Sequence, residues 1–424
     1  MMKQYRPRVV DAILARKLEG MGAVLIEGAK WCGKTTTAEQ IAGSVLNMDD
    51  PANVRQNLAL ADLSPKQLLQ GKTPRLLDEW QIAPKLWDAV RFEVDHREEL
   101  GQFILTGSAV PPSLEEVRHS GTGRFAWLKM RPMSLSESGE STGEVRLENL
   151  FSAPEEISGS NPLDLPGLAF LTCRGGWPRA VSMSERVALD QAVNYYDAVA
   201  NTDISRVEGI RRNPDYVKRL MRSYARHQGT QAATSVICKD IRANETAPLE
   251  YDTVSAYITA LKKIFVVEEM PAWNPNLRSR TAIRTSDTRY YTDPSIAAAS
   301  LGLGPKDLIG DLKTFGFLFE TLCVRDLRVL ADALDGQVYH YRDSSDLECD
   351  AVVHLRNGSY GLIEIKLGGD ERIAEGVKNL QTLSQKIDSE RMNLPSFLMV
   401  LTGVGDYAYR RKDGVYIVPI GCLA

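Results

Sequence analysis

The run Gly28-Ala29-Lys30-Trp31-Cys32-Gly33-Lys34-Thr35 carries two glycines, a lysine and a hydroxyl at the spacing G-x-x-x-x-G-K-[ST], and Thr36 comes directly after it. Each residue type has a role in holding phosphate. Glycines let the backbone curl so that successive N–H groups face one phosphate; Lys34 reaches the β/γ-phosphates and Thr35 offers its hydroxyl to Mg2+. Asp78 and Glu79 close the apolar run Arg75-Leu76-Leu77, 43 residues beyond Thr35. Asp78 suits the Mg2+ shell, and Glu79 suits polarisation of an attacking water. In Leu105-Thr106-Gly107-Ser108, Thr106 or Ser108 is placed either to sense a γ-phosphate or to cap a turn, and Arg124 could offer positive charge to a transition state, in cis or to a neighbouring subunit. Together these residues imply binding and hydrolysis of ATP with Mg2+.

A second constellation lies near the C-terminus, where Asp350 and Glu364-Ile365-Lys366 spell D-x13-E-x-K and Glu320 precedes them. If two strands form a hairpin, Asp350 and Glu364 meet at one edge, and the strand period of two puts Glu364 and Lys366 on one face. Two carboxylates and the Ile365 carbonyl suit a hard divalent cation, Mg2+ or Mn2+. Lys366 would position or deprotonate a water. A wet strand face alternating Glu and Lys is the plain alternative, but these charges interrupt the apolar run Gly361-Leu362-Ile363, where unpaired charge is costly.

These residues need elements to hold them. Ala23 to Glu27, Val45 to Met48, Arg75 to Asp78, Gln102 to Thr106 and Phe125 to Lys129 read as strands, with a helix over Thr35 to Ala42, the pattern of a parallel α/β domain. Ser134 to Pro166 is rich in Ser, Gly, Glu and Pro and reads as linker. Leu168 to Val267 is mainly helical, ending in helices at Ser235 to Arg242 and Tyr251 to Ile264 and a strand at Phe265 to Met270, the order of a winged helix-turn-helix or of a plain helical hairpin backed by a strand. Beyond Tyr290 a long helix (Gly316 to Leu334), strands at Gln337 to Tyr341, Cys349 to Leu355, Tyr360 to Ile365, Phe397 to Leu401 and Gly414 to Val418, and a helix near Glu371 to Lys386 complete a second α/β region. The expected organisation is therefore a P-loop domain with a parallel sheet over 1–165, a helical and winged-helix-like region over 166–285, and an α/β domain over 286–424.

Composition bounds the reading. The chain has 424 residues, 25% of them charged, with 51 Lys and Arg against 55 Asp and Glu. It is no polycation, so nucleic-acid binding requires a local patch. One candidate runs from Arg206 to Arg226, where Arg206, Arg211, Arg212, Lys218, Arg219, Arg222 and Arg226 face only Glu208 and Asp215, a net of +5 (seven minus two). Lys218, Arg222 and Arg226 share one helix face, either to track a phosphate backbone or to sit solvated or against an acidic domain. The region from Asp311 to Ala424 is net acidic, 13 basic against 17 acidic residues. No apolar run reaches the ~18 residues of a membrane span, charges interrupt the N-terminal stretch where a signal core would lie, and the six cysteines are scattered. A cytoplasmic location without membrane contact is expected.

The strings GAKWCGKTT, LLDEWQ, ILTGS and GRFAWLKMRPMSLSE occur in the order of prokaryotic AAA-superfamily ATPases, which the N-terminal half resembles. Gly175-Gly176-Trp177-Pro178 and the stretch from TSVICKDI to PAWNP look like the segments C-terminal to the ATPase core in that family. The C-terminal part is similar to a domain these ATPases carry that is related to PD-(D/E)xK nucleases. The resemblance implies an ATPase joined to a restriction-endonuclease-like α/β domain, with phosphodiester cleavage assigned to Glu320, Asp350, Glu364 and Lys366. DNA and protein partners and oligomers are further expectations, as is the alternative of a nucleotide-operated switch that binds DNA or a protein without cutting. No arginine finger of a second region and no sensor-2 helix is legible, a departure from ring-forming relatives.

Overall fold

The computed structural model describes residues 5–107, 121–152, 157–206, 209–244, 248–277 and 282–424. Its backbone divides into two units. One comprises Met1–Pro132, Asn201–Asn213 and Thr259–Val266; the other comprises Met133–Ala200, Pro214–Ile258 and Val267–Ala424.

In the first unit, β1 (Ala23–Glu27), β2 (Ser44–Asn47), β3 (Arg75–Asp78), β4 (Phe103–Gly107) and β5 (Phe125–Lys129) form a parallel sheet in the order β2-β3-β4-β1-β5. Strands covered on both faces read as unbroken apolar runs, and β4 is buried along its whole length. Alternation divides them: Leu25, Leu77 and Leu105 pack with Trp80, Trp87 and Phe125 on one face. Val24, Ile26, Leu76 and Ile104 pack with Val10, Ile13 and Leu14 of helix Val9–Gly20 on the other. Because β4 lies between β1 and β3, the loop after β1 and the carboxylates ending β3 are two strand spacings apart, ~10 Å. The tip of β4 fills that interval.

In the second unit, β6 (Gly159–Ser160), β7 (Gly336–Arg342), β8 (Glu348–Leu355), β9 (Tyr360–Lys366), β10 (Phe397–Thr402), β11 (Tyr407–Arg410) and β12 (Tyr416–Pro419) form a mixed sheet in the order β6-β11-β12-β10-β9-β8-β7. β7, β8 and β9 make an antiparallel meander, β10 and β12 run parallel to β9, and β11 turns back against β12. Helix Asp370–Lys386 covers β9 and β10, with Val377, Leu380 and Leu383 packed against Val352, Leu362 and Val400. The long helix spans Leu312–Ala333. Among the described residues, no helix is long and apolar enough to cross a membrane.

Two expectations are corrected. The described residues between Ser134 and Pro166 form regular elements: Ser134 and Glu137 form a reciprocal cap on helix Leu135–Ser138, helix Leu147–Ser152 comes next, and β6 pairs with β11. Their backbone is tied to the C-terminus through Val145 N to Cys422 O (2.9 Å) and Leu147 N to Ala424 O (2.7 Å). Polar composition marked a surface segment, and the pairing that orders it lies almost 280 positions away. Phe265 to Met270 forms isolated bridges, Val267 with Tyr291 and Met270 with Thr288, in place of a strand, although helices Thr234–Asn244 and Tyr251–Lys263 both form.

The Gly-Gly-Trp-Pro turn is held by buried charge. Asp293 accepts from Gly176 N and Arg325 Nη1, each at 2.9 Å, Arg325 also pairs with Asp326 at 2.7 Å, and Trp177 Nε1 donates to Ser295 Oγ at 2.9 Å. A Cβ on Gly176 would lie 2.1 Å from Met133 O, so glycine is required by close approach.

Candidate functional site

The phosphate-type loop begins where β1 ends. Gly28 has φ +155°, and a Cβ there would fall 2.0 Å from Met130 O; Gly33 has φ +105°. Both positions favour glycine for steric reasons. Between them, Ala29 and Cys32 are buried, Trp31 is 48% exposed at φ +64°, and Lys30 Nζ pairs with Asp203 at 2.5 Å. Lys34 is buried, its Nζ donating to Gly28 O (2.8 Å) and Ala29 O (2.9 Å), so the ammonium lies within the curl of its own loop. Thr36 is exposed, its carbonyl accepting from Gln40 Nε2.

Thr35 Oγ1 donates to Asp78 Oδ1 at 2.7 Å, and Thr106 Oγ1 donates to the same oxygen. The register explains the meeting, since Asp78 of β3 is aligned with Thr106 of β4. Glu79 comes next in the left-handed region, φ 53° and ψ 43°, and burial raises its carboxyl above the usual range, opposed by the Lys34 charge. The structure thus gathers Lys34, Thr35, Asp78, Glu79 and Thr106 at the C-terminal ends of three parallel strands. The Thr35 hydroxyl and Asp78 carboxylate are the hard oxygen donors that Mg2+ prefers, so the residues fit that ion.

Arg124 is not brought to this cluster. It precedes β5, whose Phe125 aligns with Ala23 at the start of β1, so it occupies the opposite end of the sheet, ~13 Å of strand away. There it pairs at the surface with Asp95, 2.8 Å from Nε to Oδ1. Ser108 lies outside the described residues. Three residues that the motifs did not single out support the loop: Asp203; Gln81, which donates to Glu79; and Arg8, which is buried and donates to Cys32 O (2.9 Å) and Arg131 O (2.8 Å). Arg8 and Asp203 meet the loop across long separations, with no local signal. Gln81 closes the LLDEWQ string.

In the second unit the β8/β9 hairpin forms, with Ala351 opposite Ile363, and this brings Asp350 beside Glu364. Lys366 Nζ sits 2.6 Å from Glu364 Oε2 and 3.1 Å from Asp350 Oδ2, which also accepts from Ile365 N at 2.7 Å. Burial alone would lower the Lys366 ammonium, but Asp350 and Glu364 more than offset it and hold it protonated. Glu364 is 1% exposed, its Oε1 is buried without a hydrogen-bond partner among the described residues, and burial together with the Asp350 charge pushes it well above the usual carboxylate range. Glu320 is half-buried on the long helix and accepts from Tyr290 Oη; desolvation, then the Asp350 charge, raise it to about 8. Gly376 lets helix Asp370–Lys386 approach, since a Cβ there would lie 3.2 Å from Glu364 Cβ and 3.5 Å from Lys366 Cε. Among the described residues, no group of three or more His, Cys, Asp or Glu is arranged to hold a metal. The Lys366 ammonium stands between the two expected ligands, so Asp350 and Glu364 do not fit a cation as they are arranged.

The basic stretch is largely partnered. On helix Pro214–Arg226, Lys218 pairs with Asp197 (2.7 Å) and Arg226 with Asp240 (2.6 Å), while Arg222 Nε donates to Ser300 O at 3.4 Å. Arg212 is buried against Ile204 O.

Residues 21–139 match the family model of an AAA domain. Residues 166–307 and 315–423 match two domains of unknown function, DUF8612 and DUF4143. The uncharacterized proteins Rv2008c of Mycobacterium tuberculosis and Mb2031c of Mycobacterium bovis are each 23% identical over 417 residues, 97% of this chain and 83% of theirs. Among solved structures, a Walker-type ATPase of Pyrococcus abyssi is 15% identical, covering 71% of this chain and 99% of its own, with a TM-score of 0.41. The Aeropyrum pernix ORC1 protein, solved in complex with DNA, is 14% identical, covering 73% and 97%, with a TM-score of 0.23. The region that the AAA domain model matches is thus the one that holds the P-loop cluster.

Proposed function

We propose that the chain binds and hydrolyses ATP with Mg2+ at the β1, β3 and β4 loop cluster, and that this cycle governs a nuclease-like C-terminal domain acting on DNA. The observation that carries the first part is the meeting of Thr35 and Thr106 on one oxygen of Asp78, beside Lys34 and Glu79. Loop amides and Lys34 hold the β- and γ-phosphates, Lys34 first leaving the Gly28 and Ala29 carbonyls. Thr35 and Asp78 would hold Mg2+, which when bound neutralises charge on the phosphates. Glu79 polarises the attacking water, its burial keeping it a stronger base than an exposed carboxylate. Thr106 senses whether the third phosphate is present. Lys34→Ala should abolish ATP binding, while Glu79→Gln should bind ATP and fail to hydrolyse it; an unchanged Lys34→Ala would sink the proposal.

For the C-terminal domain, support comes from the convergence of Asp350, Glu364 and Lys366 with Glu320 nearby, on a meander followed by a parallel strand. Incubation with DNA and Mg2+ or Mn2+, comparing the wild type with Lys366→Ala, tests scission. The Lys366 ammonium bridging both carboxylates favours a second reading, a nucleotide-operated switch that binds DNA or a protein without cutting. That reading expects slow ATP turnover altered by DNA or partner, with no cleavage.

A further inference from the structure

The hydrolysis reading leaves Gln81 without a role, although it closes the string Leu76-Leu77-Asp78-Glu79-Trp80-Gln81. Glu79 leaves β3 in a left-handed conformation, so the chain reverses at once into the 3-10 turn Trp80–Ile82. The reversal aims Gln81 back along the strand end, where its Nε2 donates to Glu79 Oε2. The other end of the amide is seated on β4: a Cβ on Gly107 would lie 2.7 Å from Gln81 Oε1 and 3.2 Å from Trp80 Nε1. Gln81 Oε1 is buried there without a hydrogen-bond partner among the described residues.

This arrangement costs an acceptor its hydrogen bonds, which is unfavourable unless the geometry it secures is worth more. Rotating the amide would set its oxygen against the Glu79 carboxylate, acceptor facing acceptor. Only the observed orientation delivers an N–H to Glu79. We infer that Gln81 is a positioning residue for ATP hydrolysis, fixing the direction of the Glu79 carboxylate, and that Gly107 is the seat that fixes Gln81. The inference rests on the ATPase reading above. It assigns Gln81 no contact with nucleotide, so its loss is felt in turnover and not in binding.

The test uses the full chain, with steady-state ATP turnover and ATP affinity by competition with a fluorescent nucleotide. Gln81→Leu keeps the volume and removes the donor. Gly107→Ala keeps Gln81 and both acids, but its methyl must displace the Gln81 oxygen, the far end of a flexible side chain. Gln81→Leu should lower kcat about tenfold with affinity within about twofold of wild type, since misplacing a reacting group costs rate. Gly107→Ala should lower kcat by a smaller factor, and the double variant should be no worse than Gln81→Leu, because both act through one hydrogen bond. Unchanged kcat in Gln81→Leu, affinity falling in step with kcat, or multiplying losses in the double variant would each overturn the inference. Glu79→Gln is run alongside. If it turns over ATP like the wild type, the hydrolysis reading itself has failed; if it is inactive while Gln81→Leu is normal, only the role of Gln81 falls.

Discussion

Replacing Lys366 by methionine removes a positive charge and little volume from the C-terminal cluster. The ammonium lies 2.6 Å from Glu364 and 3.1 Å from Asp350. Removing one partner of a buried ion pair costs about 3–5 kcal/mol. Two features hold the loss to the lower end. Glu364 takes a proton readily, because burial and Asp350 already raise it well above the usual range, and Asp350 keeps the Ile365 N–H at 2.7 Å. The expected loss is about 3 kcal/mol, which at roughly 2–4 °C per kcal/mol lowers Tm by about 6–12 °C. With the ammonium gone, Mn2+ gains access to the carboxylates. A cation at about a hundred times its Kd returns about 2.7 kcal/mol, most of the loss. Thermal unfolding of wild type and Lys366→Met, with Mn2+ or with chelator, reads both effects. An unchanged Tm, or Mn2+ stabilising the wild type as much as the variant, would refute the view that Lys366 holds the place of a cation.

Three further outcomes are expected from the packing. Gly28→Ala should lose ATP affinity at least tenfold in a nucleotide titration, because its Cβ would meet the Met130 carbonyl, a backbone atom that cannot swing aside. Arg325→Met should destabilise the second unit by about 3–5 kcal/mol in denaturant melts, since it leaves Asp293 and Asp326 buried without their cation. Burial works against ionisation of Asp343, yet Lys386 and Ser345 hold it down at about 2. Its unfolded value is about 3.9, so its contribution, up to ~2.6 kcal/mol, is complete above that value and lost as pH falls toward 2. Asp343→Asn should therefore flatten the fall in unfolding free energy below about pH 4.

The elements carrying the P-loop cluster are legible because each announces itself locally. A buried parallel strand must be apolar, a curled loop must hold glycine where Met130 O approaches, and the carboxylates must close a strand. The hairpin that joins Asp350 to Glu364 is legible for the same reason, through alternation and spacing. Residues that act across distance are not. Asp203 reaches Lys30 from 173 positions away and Arg8 reaches Arg131 from 123, with no pattern linking them. Arg124 shows the converse: it directly precedes the Phe125 to Lys129 strand, and in a parallel sheet that position alone puts it at the end opposite the loop that follows β1. Gly376 carried a usable signal: a glycine inside a helix costs about 1 kcal/mol, and its presence marks an approach too close for a side chain.

The basic stretch from Arg206 to Arg226 shows why counted charge differs from available charge. Asp197 and Asp240, both outside the stretch, engage Lys218 and Arg226. The helix face that linear spacing assembles is therefore weaker toward phosphate than its net of +5 suggests, and the acidic C-terminal region supplies no replacement. If DNA binds along this face, Asp197→Asn with Asp240→Asn should release two cations. Each phosphate contact adds about −0.9 to the slope of log K against log salt, so the double variant should bind duplex DNA more tightly at low salt with a slope steeper by about 1.8. Fluorescence anisotropy across a salt series measures both quantities. Unaltered affinity and slope would remove this helix from any DNA interface, and recognition would have to rest on surfaces of the chain other than its most basic run.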